Sequence, residues 1–154
     1  MKVIFLDVDG VLNDQDLIFE KFKTREIEIS KDKLLLLKKI ITSSNDTKVV
    51  LSSSWRVGLL KKDGKIVADT TYHKEFLELL KEYDIEIYDI TPSMMNRTEE
   101  IRYYLENNKD IESYIILDDE ELNDENQVRT DFFNGGLTEE HVPLAIDILK
   151  RKKR

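Results

Sequence analysis

The sequence contains no cysteine among its 154 residues. This excludes disulfide bonds, thiol catalysis and metal sites with cysteine ligands. The two histidines, His73 and His141, lie far apart and do not form a metal-binding pair. No apolar run approaches the roughly 20 residues that a membrane-spanning helix needs, and the start of the chain reaches Asp7 too early for a signal peptide. We therefore expect a soluble, cytoplasmic protein.

Glycine and proline are also scarce, with five and two residues respectively. No linker, low-complexity tract or repeat is visible, and the length suits one domain that spans residues 1–154. The formal net charge is −8, which argues against a general electrostatic clamp on duplex nucleic acid. Hydrophobic residues make up 40% of the chain, too many for a disordered protein.

Apolar runs and helical spacing alternate along the chain. The predicted strands cover residues 3–8, 48–51, 85–90, 114–117 and 128–133. The predicted helices follow a cap at Ser30, cover 74–83, run from Asn96 or Thr98 to Leu105, and cover 139–150, where Pro143 restarts the helix. Most strands are continuously apolar, which is typical of a parallel sheet with helices on both faces. We therefore predict a three-layer, Rossmann-like α/β fold.

Acidic pairs follow two of the buried strands. Asp7 and Asp9 follow the first strand, and Asp118 and Asp119 follow the strand at 114–117. If these strands are neighbours, the four carboxylates meet at one sheet edge, where like charges about 4 Å apart repel by about 4 kcal/mol near a protein surface. A cation would offset this repulsion, and oxygen ligands favour Mg²⁺. The alternative is that residues 118–125 form a solvated acidic turn.

Small hydroxyl residues follow the strand at 48–51. Ser52 and Ser53 offer hydroxyl and backbone N–H groups that suit phosphate oxygens, although such a segment also suits a turn that caps a helix. We expect Trp55 to pack against the core, whereas Arg56 has two open partners, a phosphate or a nearby carboxylate. Arg97 lies at a predicted helix N-terminus, which favours anions.

The chain resembles the haloacid dehalogenase (HAD) superfamily, and in particular the compact HAD domains of Swiss Army Knife RNA repair proteins. The resemblance lies in four ordered motifs: FLDVDGVLN (5–13), VVLSSSWR (49–56), NRTEEIRYYL (96–105) and IILDDE (115–120). The NGGLT stretch at 134–138 also fits the end of such domains. Each motif alone is a weak or moderate signal, whereas the ordered set covers most of the chain.

This resemblance implies specific catalytic roles. Asp7 would be the nucleophile that forms an aspartyl-phosphate, and Asp9 the general acid and then the general base. Ser52 would bind the phosphoryl group, with Ser53 as a second candidate. Arg97 would take the place of the basic residue that neutralises phosphate and nucleophile.

The resemblance also implies a Mg²⁺ cofactor. Asp7 and Asp119 would be direct ligands, and Asp118 would bind directly or through water. The backbone carbonyl of Asp9 would complete the protein ligands.

No segment is long enough for a large cap domain, so we expect a minimal cap or none. Residues 11–29 would form a short flap, and 57–72 a hairpin that turns at residues 63–64. Arg56, Lys61 and Lys62 are candidate substrate contacts. The basic tail at 150–154 either contacts nucleic acid or simply solubilises a helix end.

The predicted function is Mg²⁺-dependent hydrolysis of phosphomonoesters. The open site would admit a phosphorylated small molecule, a nucleotide or a nucleic-acid end. The alternative is a catalytically weak, Mg²⁺-dependent binding or regulatory module in nucleic-acid repair or processing. The oligomeric state stays open.

Overall fold

A parallel sheet forms the centre of the fold in the computed structural model, which describes residues 1–151. The strands are β1 (Lys2–Leu6), β2 (Thr47–Leu51), β3 (Leu59–Lys62), β4 (Lys65–Ala68), β5 (Ile87–Ile90), β6 (Ser113–Asp118) and β7 (Gln127–Arg129). Five of them form the sheet in the order β5-β2-β1-β6-β7, and every pairing in it is parallel. The prediction of a parallel sheet is confirmed.

Helices cover both faces of this sheet. They are α1 (Gln15–Thr24), α2 (Lys31–Thr42), α3 (Thr71–Glu82), α4 (Arg97–Glu106) and α5 (His141–Lys150). Ile4 and Leu6 of β1 belong to a buried cluster with residues of α2, α3 and α5. Val3 and Phe5 point to the other face, into a smaller cluster with residues of α4. The result is the predicted three-layer arrangement.

Side-chain caps fix where several helices begin. The side chains of Ser30 and Asn96 accept the backbone N–H groups of Lys33 and Glu99, respectively. Ser30 is the predicted cap of α2, and Asn96 is one of the two residues predicted to start α4. The Asn96 cap makes Arg97 the first residue of α4. The position of Arg97 relative to the sheet edge is therefore fixed by local sequence.

The register of the sheet determines which residues meet at its carboxyl edge. Leu6 of β1 lies level with Leu51 of β2 on one side and with Leu117 of β6 on the other. The residues that follow each of these positions, Asp7, Ser52 and Asp118, therefore emerge side by side. This alignment brings the separated sequence motifs into one place.

The strand predicted at 128–133 is wrong beyond Arg129. β7 ends there, and the buried Thr130 hydroxyl donates a 2.5 Å hydrogen bond to the Gly10 carbonyl. The chain then turns, and Asp131 forms an isolated bridge with Gly136. Residues that suit a strand by composition thus support the loop after β1 instead.

Two short insertions flank the carboxyl edge. Within residues 11–29, α1 forms a helix that the sequence analysis does not predict; Asp14 caps it, and none of its side chains is buried. β3 and β4 form an antiparallel hairpin with Asp63 and Gly64 at its turn, both at positive φ. Neither insertion is a large cap domain.

The last helix ends the described part of the chain. Pro143 is the third residue of α5, in the first turn, where a helix needs no proline N–H. Arg151 is ion-paired with Asp147 at 2.7 Å, and residues 152–154 of the predicted basic tail lie outside the described residues. Among residues 1–151, no helix has both the length and the apolar character to cross a membrane.

A buried hydroxyl ties α5 to the sheet and provides a test of the fold. Ser113 is fully buried, and its Oγ donates a 2.6 Å hydrogen bond to the Leu149 carbonyl. Replacing Ser113 by alanine leaves that carbonyl unsatisfied, so we expect Ser113→Ala to lower the free energy of unfolding by about 1–2 kcal/mol. Urea denaturation measures this loss. The exposed Ser93→Ala is the control, and equal effects of the two substitutions would contradict the assignment.

Candidate active site

Three carboxylates converge at the carboxyl edge of the sheet. One oxygen from each of Asp7, Asp118 and Asp119 lies within 4.8 Å of the others. Asp7 and Asp118 are 7% and 1% exposed, so both lie largely out of solvent. The neighbouring strands β1 and β6 place these three residues together as the sequence predicts, whereas the prediction that the Asp9 carboxylate joins them is wrong.

Arg97 supplies the positive charge of this cluster. Its Nη1 lies 3.6 Å from Asp7 Oδ2 and also contacts Asp118 Oδ2. The other oxygen of Asp118 accepts the backbone N–H of Glu120 at 2.9 Å. One guanidinium against three carboxylates leaves a net charge of −2 when all are ionised.

Burial and mutual repulsion make full ionisation of these acids unfavourable. Burial and the charge of Asp118 raise the pKa of Asp7 to about 8, against the opposing effects of Arg97, the Val8 N–H and the Ser53 hydroxyl. Burial also raises the pKa of Asp118, although Arg97 pulls it down. When all three acids are ionised, Arg97 alone does not neutralise their charge.

Gly10 allows Asp119 to reach the cluster. Its φ of +85° favours glycine, and a Cβ there would lie 2.4 Å from Asp119 Oδ2. The loop backbone thus packs directly against the Asp119 carboxylate. Within residues 1–151, no hydrogen bond or ion pair engages that carboxylate, in contrast to the Asp118 carboxylate bound by Arg97.

The serines after β2 lie beside the acidic cluster. Ser52 is fully buried, and its Oγ has no hydrogen-bond partner among the described residues. A buried hydroxyl without a partner is unusual and indicates a site that a ligand completes. Ser53 is also fully buried, and its Oγ caps the 3₁₀ turn at Ser54–Arg56 by accepting the Trp55 N–H.

The Asp9 carboxylate lies outside the cluster of Asp7, Asp118 and Asp119. Its Oδ1 accepts hydrogen bonds from Asn13 Nδ2 at 2.9 Å and from Trp55 Nε1 at 3.2 Å. Trp55 also packs on Phe76 and Tyr72, with ring centroids 5.1 and 5.3 Å away. The expected packing of Trp55 is present, and its contact with Asp9 is an additional feature.

Arg56 turns to a carboxylate, one of the two partners that the sequence leaves open. Its Nη2 lies 2.5 Å from Glu100 Oε2, and its Nη1 donates to the Ser53 carbonyl at 3.1 Å. Glu100 is 4% exposed and also accepts the Met94 N–H at 2.9 Å. The Arg56 guanidinium thus links the serine loop (residues 52–54) to α4. A direct contact of Arg56 with substrate stays a prediction.

The hairpin lysines lie outside the acidic cluster. Lys61 Nζ is 3.4 Å from Asp89 Oδ2 at the end of β5, and Asp89 also accepts the Tyr104 hydroxyl at 2.8 Å. Lys62 is exposed beside the hairpin turn. Substrate contacts by these two lysines stay predictions.

Three supporting residues escape the sequence analysis. Asn13 is fully buried; it accepts the Gly10 N–H and donates to Asp9 and to the Glu28 carbonyl. Glu100 holds Arg56, and Thr130 holds the Gly10 carbonyl. The short spacing of Asn13 from Asp9 is a local signal for its role. Thr130 has no such signal, because its contact spans 120 positions of sequence.

The donor set fits a hard divalent cation. All three clustered side chains offer carboxylate oxygens, which suit Mg²⁺. Burial and the neighbouring charge of Asp118 both raise the pKa of Asp7, and a bound cation would favour its ionised form. The carboxylate of Asp9 is not in this cluster, which leaves its backbone carbonyl as the predicted ligand.

The sheet order and the acidic edge define an α/β domain of the haloacid dehalogenase type. Comparison with family models matches residues 3–142 to the HAD domain in Swiss Army Knife RNA repair proteins. The chain therefore belongs to this family, and the resemblance seen in the sequence is confirmed. No curated protein and no solved structure matches it significantly.

Repulsion in the cluster predicts a pH-dependent stability in the absence of divalent ions. The pKa of Asp7 is about 8 when folded, against 3.8 as the ordinary value. The folded chain thus keeps a proton that the unfolded chain releases, so stability falls as pH rises between these values. We expect Asp7→Asn to remove this loss, so that its stability relative to wild type is greater at pH 8 than at pH 5.

Urea denaturation in EDTA at pH 5 and pH 8 measures this difference. Added Mg²⁺ should restore wild-type stability at pH 8 more than that of Asp7→Asn, since a cation favours the ionised carboxylates. Parallel pH dependences of the two proteins would show that the cluster is not under electrostatic strain.

The Arg56–Glu100 pair predicts a structural loss on mutation. The side chains are 13% and 5% exposed, so removing the cation leaves a buried carboxylate. We expect Arg56→Met to lower the free energy of unfolding by roughly 3 kcal/mol, and the double variant with Glu100→Gln to recover part of it. The exposed pair Arg102–Glu99 is a matched control, and Arg102→Met should cost under about 1 kcal/mol. Equal costs would contradict the linking role.

Proposed function

We propose that the chain is a Mg²⁺-dependent phosphatase that hydrolyses phosphomonoesters through an aspartyl-phosphate on Asp7. The observation that carries this proposal is the meeting of three carboxylates, Arg97 and the partnerless Ser52 hydroxyl at one sheet edge. An anionic nucleophile and a phosphate repel each other. A site that combines cationic and hydroxyl groups around the nucleophile offsets that repulsion.

In the first step, a carboxylate oxygen of Asp7 forms a bond to phosphorus while the ester P–O bond breaks. Asp9 gives its proton to the leaving oxygen, so the alcohol departs neutral. Ser52 and Arg97 bind the phosphoryl oxygens. The buried position of Asp7 keeps bulk water from competing.

In the second step, Asp9 takes a proton from a water molecule, whose oxygen then attacks phosphorus. The bond between phosphorus and Asp7 breaks, which releases inorganic phosphate and restores both side chains. Asp9 thereby alternates between acid and base over one turnover. Splitting the hydrolysis in two avoids direct attack of water on the ester.

Mg²⁺ would be held by Asp7, Asp119 and the Asp9 carbonyl, with Asp118 bound directly or through water. When bound, the ion supplies positive charge that stabilises the phosphoryl oxygens in the transition state. Asp118 meanwhile keeps Arg97 beside Asp7 through their ion pair.

The proposed substrates are nucleotides or the phosphorylated ends of nucleic acids. The family description places such domains in RNA repair proteins, which supports this class. The flap around α1 and the β3–β4 hairpin are short, which supports a site open to bulky substrates. A catalytically weak binding module is the alternative.

A phosphatase screen tests this proposal. The substrates are mononucleotides, RNA and DNA oligonucleotides with 3′-phosphates, sugar phosphates and phosphopeptides, each with Mg²⁺ or with EDTA. We expect hydrolysis with Mg²⁺ only, and a loss of at least about 10³-fold in Asp7→Asn because the nucleophile is gone.

The control variant is Asp32→Asn, an exposed acid on α2, which should keep wild-type activity. Equal activity in wild type and Asp7→Asn would overturn the enzymatic proposal. Mg²⁺ binding without hydrolysis of any substrate would favour the binding module instead.

A further inference from the structure

Two separate chain segments hold the same oxygen of Asp9. The Asn13 amide belongs to the loop after β1, and the Trp55 indole belongs to the 3₁₀ turn after β2. Both N–H groups donate to Oδ1, whereas the described residues provide no hydrogen bond to Oδ2. The two oxygens of this carboxyl group are therefore inequivalent.

Both donors are themselves held in place. The buried Asn13 side chain accepts the Gly10 N–H at 2.9 Å and donates to the Glu28 carbonyl at 2.9 Å. Trp55 rests on the fully buried Phe76, and Ser53 Oγ accepts its backbone N–H. Neither donor can turn away without breaking these further contacts.

An oxygen that accepts two N–H bonds is a poor place for a proton. The proton that a general acid donates would then sit on Oδ2. If the carboxyl plane of Asp9 is fixed, Oδ2 keeps one orientation relative to the leaving oxygen. The rate of a proton transfer depends on this orientation. The indole N–H needs an acceptor when Trp55 packs against the core, and that acceptor is the Asp9 carboxylate.

We propose that Trp55 is a positioning residue that, together with Asn13, occupies Oδ1 of Asp9 and leaves Oδ2 to exchange the proton with the leaving oxygen. This inference rests on the proposed phosphatase function. It deepens that function because it assigns separate tasks to the two oxygens of Asp9.

The test compares two esters that differ in their need for an acid. An alkyl phosphate such as a 5′-mononucleotide needs its leaving oxygen protonated, whereas p-nitrophenyl phosphate has a stable anion as leaving group. Since kcat/KM covers the steps up to the phosphoenzyme, it reports protonation of the leaving oxygen. We expect Trp55→Phe to lower kcat/KM about 10–100-fold for the nucleotide, and by less than about threefold for the aryl ester, with KM nearly unchanged.

Tyr88→Phe is the control, because Tyr88 is an exposed aromatic residue of β5. It should behave as wild type on both esters. An equal loss on both esters in Trp55→Phe, or no loss on either, would overturn the positioning role. Wild-type protein that hydrolyses no substrate of the phosphatase screen would overturn the proposed function and this inference with it.

A spectroscopic measurement tests the contact without activity. Trp55 is the only tryptophan, so a ¹H–¹⁵N spectrum of the full chain contains a single indole N–H signal. A bond to a carboxylate moves this proton downfield, and we expect Asp9→Ala to move it upfield. An indole signal that does not move in Asp9→Ala would overturn the inference even if Trp55→Phe fails to fold.

Discussion

Repulsion between buried carboxylates is the constraint on which the rest of the structure depends. Asp7 and Asp118 are brought together by adjacent strands and lie almost entirely out of solvent. Arg97 contacts both but neutralises one charge only. Such an arrangement costs stability, and proteins keep strained charge clusters where chemistry needs them. Burial, and after it the charge of Asp118, raises the pKa of Asp7 to about 8.

Much of the surrounding structure serves to maintain this arrangement. The Asn96 cap fixes the start of α4 and thereby Arg97, while Glu100 on the same helix binds Arg56 and steadies the serine loop. After β7, the Thr130 hydroxyl donates to the Gly10 carbonyl and so holds the loop that follows β1. Buried polar contacts from distant segments thus converge on one sheet edge. The apolar core beneath it provides the rigidity.

The sequence predicts the parallel sheet from its apolar strands. It also predicts that Asp7 meets Asp118 and Asp119, because residues that follow neighbouring parallel strands emerge at the same edge of the sheet. Arg97 is also predictable, through the Asn96 cap. The contacts of Glu100 and Thr130 are not, since they join residues far apart in sequence and depend on the packing of α4 and β7. The helix α1 is not among the predicted elements, although Ile18 and Phe22 stand four positions apart as on one helix face; none of its side chains is buried.

The central claim is that Asp7, Asp118 and Asp119 form one cation site at this edge. Isothermal titration of Mg²⁺ into EDTA-treated protein tests it most directly, with wild type compared with Asp119→Asn. The account predicts one bound ion per chain in wild type and a large loss of affinity in the variant. No binding by wild type, or the same affinity in both proteins, would contradict it.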